Sequence, residues 1–268
     1  MVVFAGQGDP RRSLALLWRT HDDSPRPGPK QGLTVDSIVD AAIGVADESG
    51  MAALSMRAVG ERLGRTAMAL YTYVPNKSEL VDLMYDRTLG ELPADYPVED
   101  GWRPAVTAWA EQLWAFYLRH PWMLHVSQAR PVLGPNSFGS LEAVAGILRT
   151  TGLPAARLRP IVSALVHYVR GSAESVTEAR DASTATGTTD DAWWAGQSAA
   201  LQEVAPDFAA RFPMLTWLQS EDPDDVPDYE HKVRSAFADG LAVLLDGVAA
   251  AIRSAAETSR PRRPTSGR

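Results

Sequence analysis

Residues 55 to 80, SMRAVGERLGRTAMALYTYVPNKSEL, constrain this chain more than any other stretch. Two short helical patterns flank a glycine and end in an aromatic pair and a lysine. Ser55 can cap a helix with Met56, Val59 and Leu63 on one face, Gly64 supplies the tight break, and Thr66 can cap the next helix. The spacing predicts a helix-turn-helix whose second helix, roughly Thr66 to Tyr73, enters a DNA groove. Thr66, Ala67, Met68, Ala69 and Thr72 then face base edges. Most of them are small or apolar, so thymine methyl contacts and DNA shape carry much of the readout.

The rest of the chain must supply a second, larger body. At 268 residues with 45% hydrophobic content, it can bury a substantial core beyond one small reader domain. With no Cys, it has no disulfide framework, thiolate metal site or thiol nucleophile, which fits a cytoplasmic protein. Charge interrupts the apolar runs before about 18 residues, so no membrane span is expected. The apolar patch Leu14 to Trp18 is too short for a signal peptide.

Net charge, -7, argues against a general polyanion binder. Between Gly32 and Gly90 five basic residues stand against eight acidic ones, a net of -3. Yet Arg57, Arg62, Arg65 and Lys77 fall in or beside the two helices that would face DNA, and most of the acids lie on the flanking helices. Placement therefore outweighs the sum, because phosphate contacts supply most of the salt-dependent affinity. The leader has a net +2 and a PRPGPK stretch, and reads either as a solvated tail or as a basic arm along a groove.

In the run Leu70, Tyr71, Thr72, Tyr73, followed by Pro75, Asn76 and Lys77, the chain resembles the tetracycline-repressor family of bacterial transcription regulators. The preceding segment resembles that family's first helix: Thr34 can cap it, and Val35, Ile38, Ala42, Val45 and Ala46 form one apolar stripe. The resemblance is specific over roughly residues 32 to 90. It implies that Arg57 and Arg65 meet DNA, that Tyr71 and Tyr73 donate hydroxyl hydrogen bonds to phosphates, and that Lys77 holds another phosphate at a helix start. It further implies a homodimer on a palindromic operator in double-stranded DNA, most commonly a repressor, released by a small-molecule effector.

Past Pro93 long helical patterns predominate, with almost no strand alternation, so an all-α fold is expected. Four segments are expected: a flexible basic extension (1–31), the helix-turn-helix domain with its connecting helix (32–92), a helical effector and dimerisation domain (93–257) and a disordered basic tail (258–268). Helices are expected over Trp102 to Arg119, from Ser137 or Ser140 to about Thr151, from Pro154 to roughly Ala182, over Ala192 to Val204 and Pro206 to Phe212, and from Tyr229 to about Ala256. ASTATGTTDD reads as a mobile break. Ala164, Gly171, Ala236, Gly240 and Gly247 suit close packing of the two longest helices. That packing lies within one monomer or, as the resemblance implies, across a dimer axis.

The candidates for effector contacts are Trp109, Leu113, Phe116, Trp122, His125, Gln128, His167, Tyr168, Gly171 and Glu174. As a set they fit an apolar or aromatic effector with one or two hydrogen-bonding groups. The second half also resembles, in helix order, the family member that holds metal-bound tetracycline. His125 with Arg130 and Pro131 has one residue too many between them, the carboxylate expected after Gly171 is displaced, and Pro93 stands where a histidine is expected. No metal or cofactor is therefore expected. Two other readings are a DNA-binding regulator without a small-molecule effector and a small helical enzyme. Against the enzyme, there is no nucleophile elbow, phosphate-binding glycine loop or metal-spaced His pair.

Overall fold

A computed structural model describes residues 3, 4, 6–19, 32–220 and 229–258, with side chains from 232 onward in the last segment. The PRPGPK stretch, the acidic EDPDDVPD break and the RPRRPTSGR tail lie outside the described residues. The regular structure among the described residues is helical apart from one isolated bridge, Val3 to Val126.

A first helix, α1 (Pro10–Leu17), precedes the reader domain, which comprises α2 (Val35–Ala53), α3 (Met56–Arg62), α4 (Ala67–Tyr71) and α5 (Lys77–Leu89). Thr34 caps α2 reciprocally: its hydroxyl accepts from Ser37 N–H, and Ser37 Oγ accepts from Thr34 N–H. The stripe on α2 faces inward, with Ile38, Ala42 and Ala46 fully buried against Val59 and Leu70. Ser55 caps α3 through Ala58 N–H and Asn76 caps α5 through Glu79 N–H.

The second body comprises α6 (Trp102–Arg119), a 3-10 turn (Pro121–His125), α7 (Pro135–Arg149), α8 (Ala155–Thr186), α9 (Asp190–Val204), α10 (Phe208–Arg211), α11 (Pro213–Ser220) and α12 (Tyr229–Thr258). Helices α6, α8 and α12 form its centre, where Trp114 and Tyr168 stack on Phe237 at 5.4 and 5.7 Å. Gly240 is glycine for a local reason: a Cβ there would lie 2.3 Å from Tyr168 Oη, which donates to Phe237 O. α12 is long and apolar enough by composition to span a membrane, but Phe237, Leu241, Leu245 and Val248 turn one face of it into the core.

Two expectations are corrected. Within the extension expected to be flexible, residues 10–17 form a helix that packs on α5 and buries Leu17. The mobile break is largely ordered: α8 continues to Thr186, Gly187 ends it at φ +68°, and Thr189 caps α9 at once. The small residues Ala164, Gly171, Ala236 and Gly247 are exposed, so they do not mediate helix packing within the chain.

Candidate DNA interface and ligand cavity

The turn between α3 and α4 is built on glycine twice. Gly64 takes φ +64°, and a Cβ on Gly60 would lie 2.7 Å from Arg65 O, so the turn folds back against α3. Arg65 N–H donates to Gly60 O at 2.8 Å and fixes that approach. Gly60 was not singled out from sequence, because nothing in the local pattern separates a packing glycine from an ordinary helical one.

From that base, α4 turns Leu70 into the core and its other side outward. Met68 is 74% exposed, an unusual position for a large apolar side chain, and Tyr71 and Tyr73 are also exposed. Thr66 and Thr72 are exposed, and Ala67 and Ala69 are half-buried beside them. Arg65 and Lys77 bracket this surface, both exposed and without an ion pair to any described residue. Lys77 stands at the first position of α5, where backbone N–H groups and the helix dipole also favour an anion.

The other two arginines differ. Arg57 Nε donates to Glu61 at 2.8 Å, but both side chains are well exposed, so the pair exchanges readily with a phosphate. Arg62 grips Glu48 with two hydrogen bonds of 2.6 and 2.7 Å and lies against Gly44, which makes it a clasp between α2 and α3.

A cavity of about 130 Å³ lies between the connector α5 and the second body. Its wall is Tyr85 and Leu89 of α5, Trp109, Leu113 and Tyr117 of α6, Gln128, the loop Pro131 to Leu133, Ser137, Phe138, Ser140 and Leu141 of α7, and Val166 of α8. Its polar groups are few. Gln128 Nε2 donates to Tyr85 Oη at 2.9 Å, and Arg170 stands over the Tyr117 ring while donating to the carbonyls of Met123, Leu124 and Val126. Burial, and then the neighbouring Tyr117, pushes the Tyr85 hydroxyl well up, and burial raises Tyr117, so both remain neutral hydrogen-bonding groups at physiological pH. The arrangement suits a mostly apolar molecule oriented by phenol, amide and serine groups.

Of the ten residues expected around an effector, Trp109, Leu113 and Gln128 line this cavity. Phe116 and Trp122 are fully buried core, and Trp122 Nε1 donates to Asp47 at 2.7 Å. Tyr168 belongs to the contact with α12. His125 is exposed, and His167, Gly171 and Glu174 recur at helical spacing on the outward face of α8, so the single chain keeps all four out of the cavity. Tyr85, Tyr117, Phe138 and Leu141 were missed, although their spacing with Leu89, Leu113 and Ser137 is the signal that would have found them.

Polar contacts join the reader to the second body at two places and to the N-terminal segment at a third. His120 lies between Asp47 of α2 and Glu91, with ring nitrogens 2.8 and 3.1 Å from them. Asp86 of α5, 4% exposed, accepts from Ser137 N–H and Oγ and from the backbone and side chain of Asn136, and so caps α7. Asp82 accepts from Gly6 N–H, and burial pushes its carboxyl up to about 6.

Residues 38–84 match the family described as bacterial regulatory proteins, tetR family, and residues 93–252 match the tetracyclin repressor-like C-terminal domain. The chain is 42% identical over 246 residues to the HTH-type transcriptional repressor DrrR1 of Streptomyces coeruleorubidus, covering 91% of this chain and 87% of that one. It is 33% identical over 222 residues to an HTH-type transcriptional regulator of Saccharopolyspora erythraea, covering 81% and 85%. Among solved structures, ActR of Streptomyces coelicolor in complex with actinorhodin superposes with a TM-score of 0.66 at 27% identity, covering 83% of this chain and 99% of ActR.

Proposed function

Because the chain belongs to the tetracycline-repressor family of bacterial transcription regulators, we propose that it is a cytoplasmic homodimeric repressor, held on a palindromic operator and released by a small, mainly apolar or aromatic effector. The observation that carries this reading is the outward face of α4: Met68, Tyr71, Thr72 and Tyr73 exposed between two cations, Arg65 and Lys77, that have no ion pair among the described residues. The cations position the chain on phosphates while the small and apolar side chains meet base edges.

A homodimer is supported by what the single chain leaves uncovered. Trp193, Trp194, Met214, Trp217 and Leu218 on α9 and α11 are exposed, as is Val243 on α12. Such a run of large apolar side chains is unusual for a free surface. Two reader helices about 34 Å apart would then match successive major grooves. The effector reading rests on the cavity, whose wall includes Tyr85 and Leu89 of α5, the helix that opens with Lys77. An occupant that moves α5 changes the spacing of the two readers. ActR, a structural relative, was crystallised with actinorhodin, which makes that compound the first to screen.

The test is selection of bound fragments from the source genome, followed by fluorescence anisotropy across a salt series. A palindromic site with a steep salt slope supports the reading, and loss of that site with Lys77→Ala ties it to α5. Failure to enrich any site, with or without candidate effectors, sinks it. An operator that no compound releases favours a regulator without an effector.

A further inference from the structure

Residues 3, 4 and 6–19 touch the connector helix and the cavity wall at once. At one end Val3 N–H donates to His125 O at 2.9 Å, and Val3 O accepts from Ser127 N–H at 2.8 Å. In the middle, Gly6 N–H donates to the Asp82 carboxylate at 3.0 Å and Ser13 Oγ to Glu79 Oε1 at 3.2 Å. Gly8 lies so close that a Cβ there would be 2.4 Å from Glu79 Oε1. At the far end Trp18 Nε1 donates to Leu133 O at 2.9 Å, its ring is 6.2 Å from that of Phe138, and Arg19 pairs with Asp36 of α2. Leu133 and Phe138 both line the cavity.

Some features oppose this docking. Leu17 is the one apolar side chain of α1 that is fully buried. Against it, Glu79 and Asp82 are each only 3% exposed, and among the described residues nothing hydrogen-bonds Glu79 Oε2. Buried carboxylates with incomplete hydrogen bonding oppose the docked state, and lifting the segment returns them to water. The cavity is also small. Its volume of about 130 Å³ is below the ~300 Å³ or more that a drug-sized ligand fills, so such an occupant must spread the wall. The wall is open to solvent at Leu133, Phe138 and Leu141, which are 45%, 47% and 47% exposed, and Trp18 rests on the first two.

We propose that the segment of residues 3, 4 and 6–19 forms a detachable strap: an occupant that spreads Leu133 and Phe138 dislodges Trp18, the strap lifts from Glu79 and Asp82, and the freed α5 weakens operator binding. The proposal deepens the effector-released reading and rests on it. It places the signal on a second route to α5, besides direct contact of the occupant with Tyr85 and Leu89.

The chain has no Cys, so Arg11→Cys carries a single fluorophore on the exposed side of α1, and its anisotropy in the full-length protein reports docking. Two changes are made in that background. Trp18→Ala cuts the strap from the wall, and Ser140→Trp puts bulk into the cavity in place of an occupant. Both are expected to lower the label's anisotropy, to raise hydrogen exchange of α5 amides at least tenfold, and to weaken affinity for the selected operator at least fivefold, the lower end of the ~5- to 150-fold usual for such coupling. Arg12→Ala, also exposed on α1, is expected to do none of these. Released label with unchanged operator affinity would make the strap simple glue and overturn the proposal. So would a strap that stays docked in a folded Ser140→Trp protein. If that variant does not fold, Trp18→Ala, at a half-exposed position, decides between release with loss of affinity and release without it. A wild-type protein that selects no operator sinks the repressor reading instead, and label and exchange still show whether the strap detaches.

Discussion

Asp82→Asn is expected to stabilise this protein at neutral pH, against the usual direction for a change at a buried, hydrogen-bonded residue. Burial raises the Asp82 carboxyl from the ordinary 3.8 to about 6, with Glu79 adding to the rise and the Gly6 N–H opposing it. A carboxyl whose pKa is raised on folding favours the folded state only where it is protonated. That contribution is full below the unfolded value near 3.8 and is lost as pH climbs through 6. A rise of about 2 in pKa corresponds to a ceiling of ~3 kcal/mol, at about 1.4 kcal/mol for each tenfold. An Asn in this place still buries an amide NH2 that needs an acceptor, which offsets part of the ceiling and leaves an expected gain of ~1–2 kcal/mol. At about 2–4 °C per kcal/mol for a chain of this size, Asp82→Asn should melt several degrees higher at pH 7.5. The gap should narrow below pH 6 and nearly close by about pH 4. Paired melts across that range check it. An Asn variant less stable than wild type at pH 7.5, or a gap that ignores pH, would refute the reasoning.

Lys77→Ala should leave the melting temperature almost unchanged and flatten the salt dependence of operator binding by about 1.8 in slope for a dimer that loses two phosphate contacts at ~0.9 each; anisotropy titrations measure this. Gly60→Ala should abolish operator binding, since its Cβ would meet the backbone oxygen of Arg65 at 2.7 Å and no side-chain adjustment relieves that. Circular dichroism should show the second body still folded. Asp86→Ala leaves the N-terminus of α7 without its acceptor and should cost about 2–4 kcal/mol in urea denaturation, given the ~1.5–3 kcal/mol typical of a hydrogen bond to a charged group. His120→Ala should separate the melting of the reader from that of the second body, read as two calorimetric transitions where wild type shows one.

Much of the fold is legible in the sequence because its helices carry their own ends. Thr34, Ser55 and Asn76 are caps, and the stripes on α2, α6 and α12 are regular enough to give both extent and buried face. α1 was missed because its one apolar patch, Leu14 to Trp18, sits in an Arg- and Pro-rich leader, and only the surface of α5 makes it a helix worth forming. The α8–α9 connection was misread because Ser and Thr composition suggests a loop, whereas Thr184 and Thr186 return their hydroxyls to the preceding turn. The cavity was the least legible part. Aromatic character signals burial, and Phe116 and Trp122 are buried, but a void is a property of how α5, α6 and α7 meet. His167, Gly171 and Glu174 came from a family pattern, and on this chain that pattern faces outward.

The acidic balance of the reader, which as a sum argues against DNA, has a structural explanation. Its carboxylates mostly point away from the candidate DNA face. Asp86 caps α7, Asp82 and Glu79 sit under the strap, Asp47 receives His120 and Trp122, Asp36 and Asp40 hold Arg87, and Glu48 holds Arg62. Once those acids are assigned, the surface around α4 is left with Arg65 and Lys77 without an ion pair among the described residues and Arg57 in an exchangeable pair. These carboxylates lie beside an apolar contact between the two bodies, where Met84, Tyr85 and Leu89 of α5 belong to one continuous core with Trp109, Leu113 and Phe116 of α6. Net charge, read as a sum, therefore points away from the function that its placement serves.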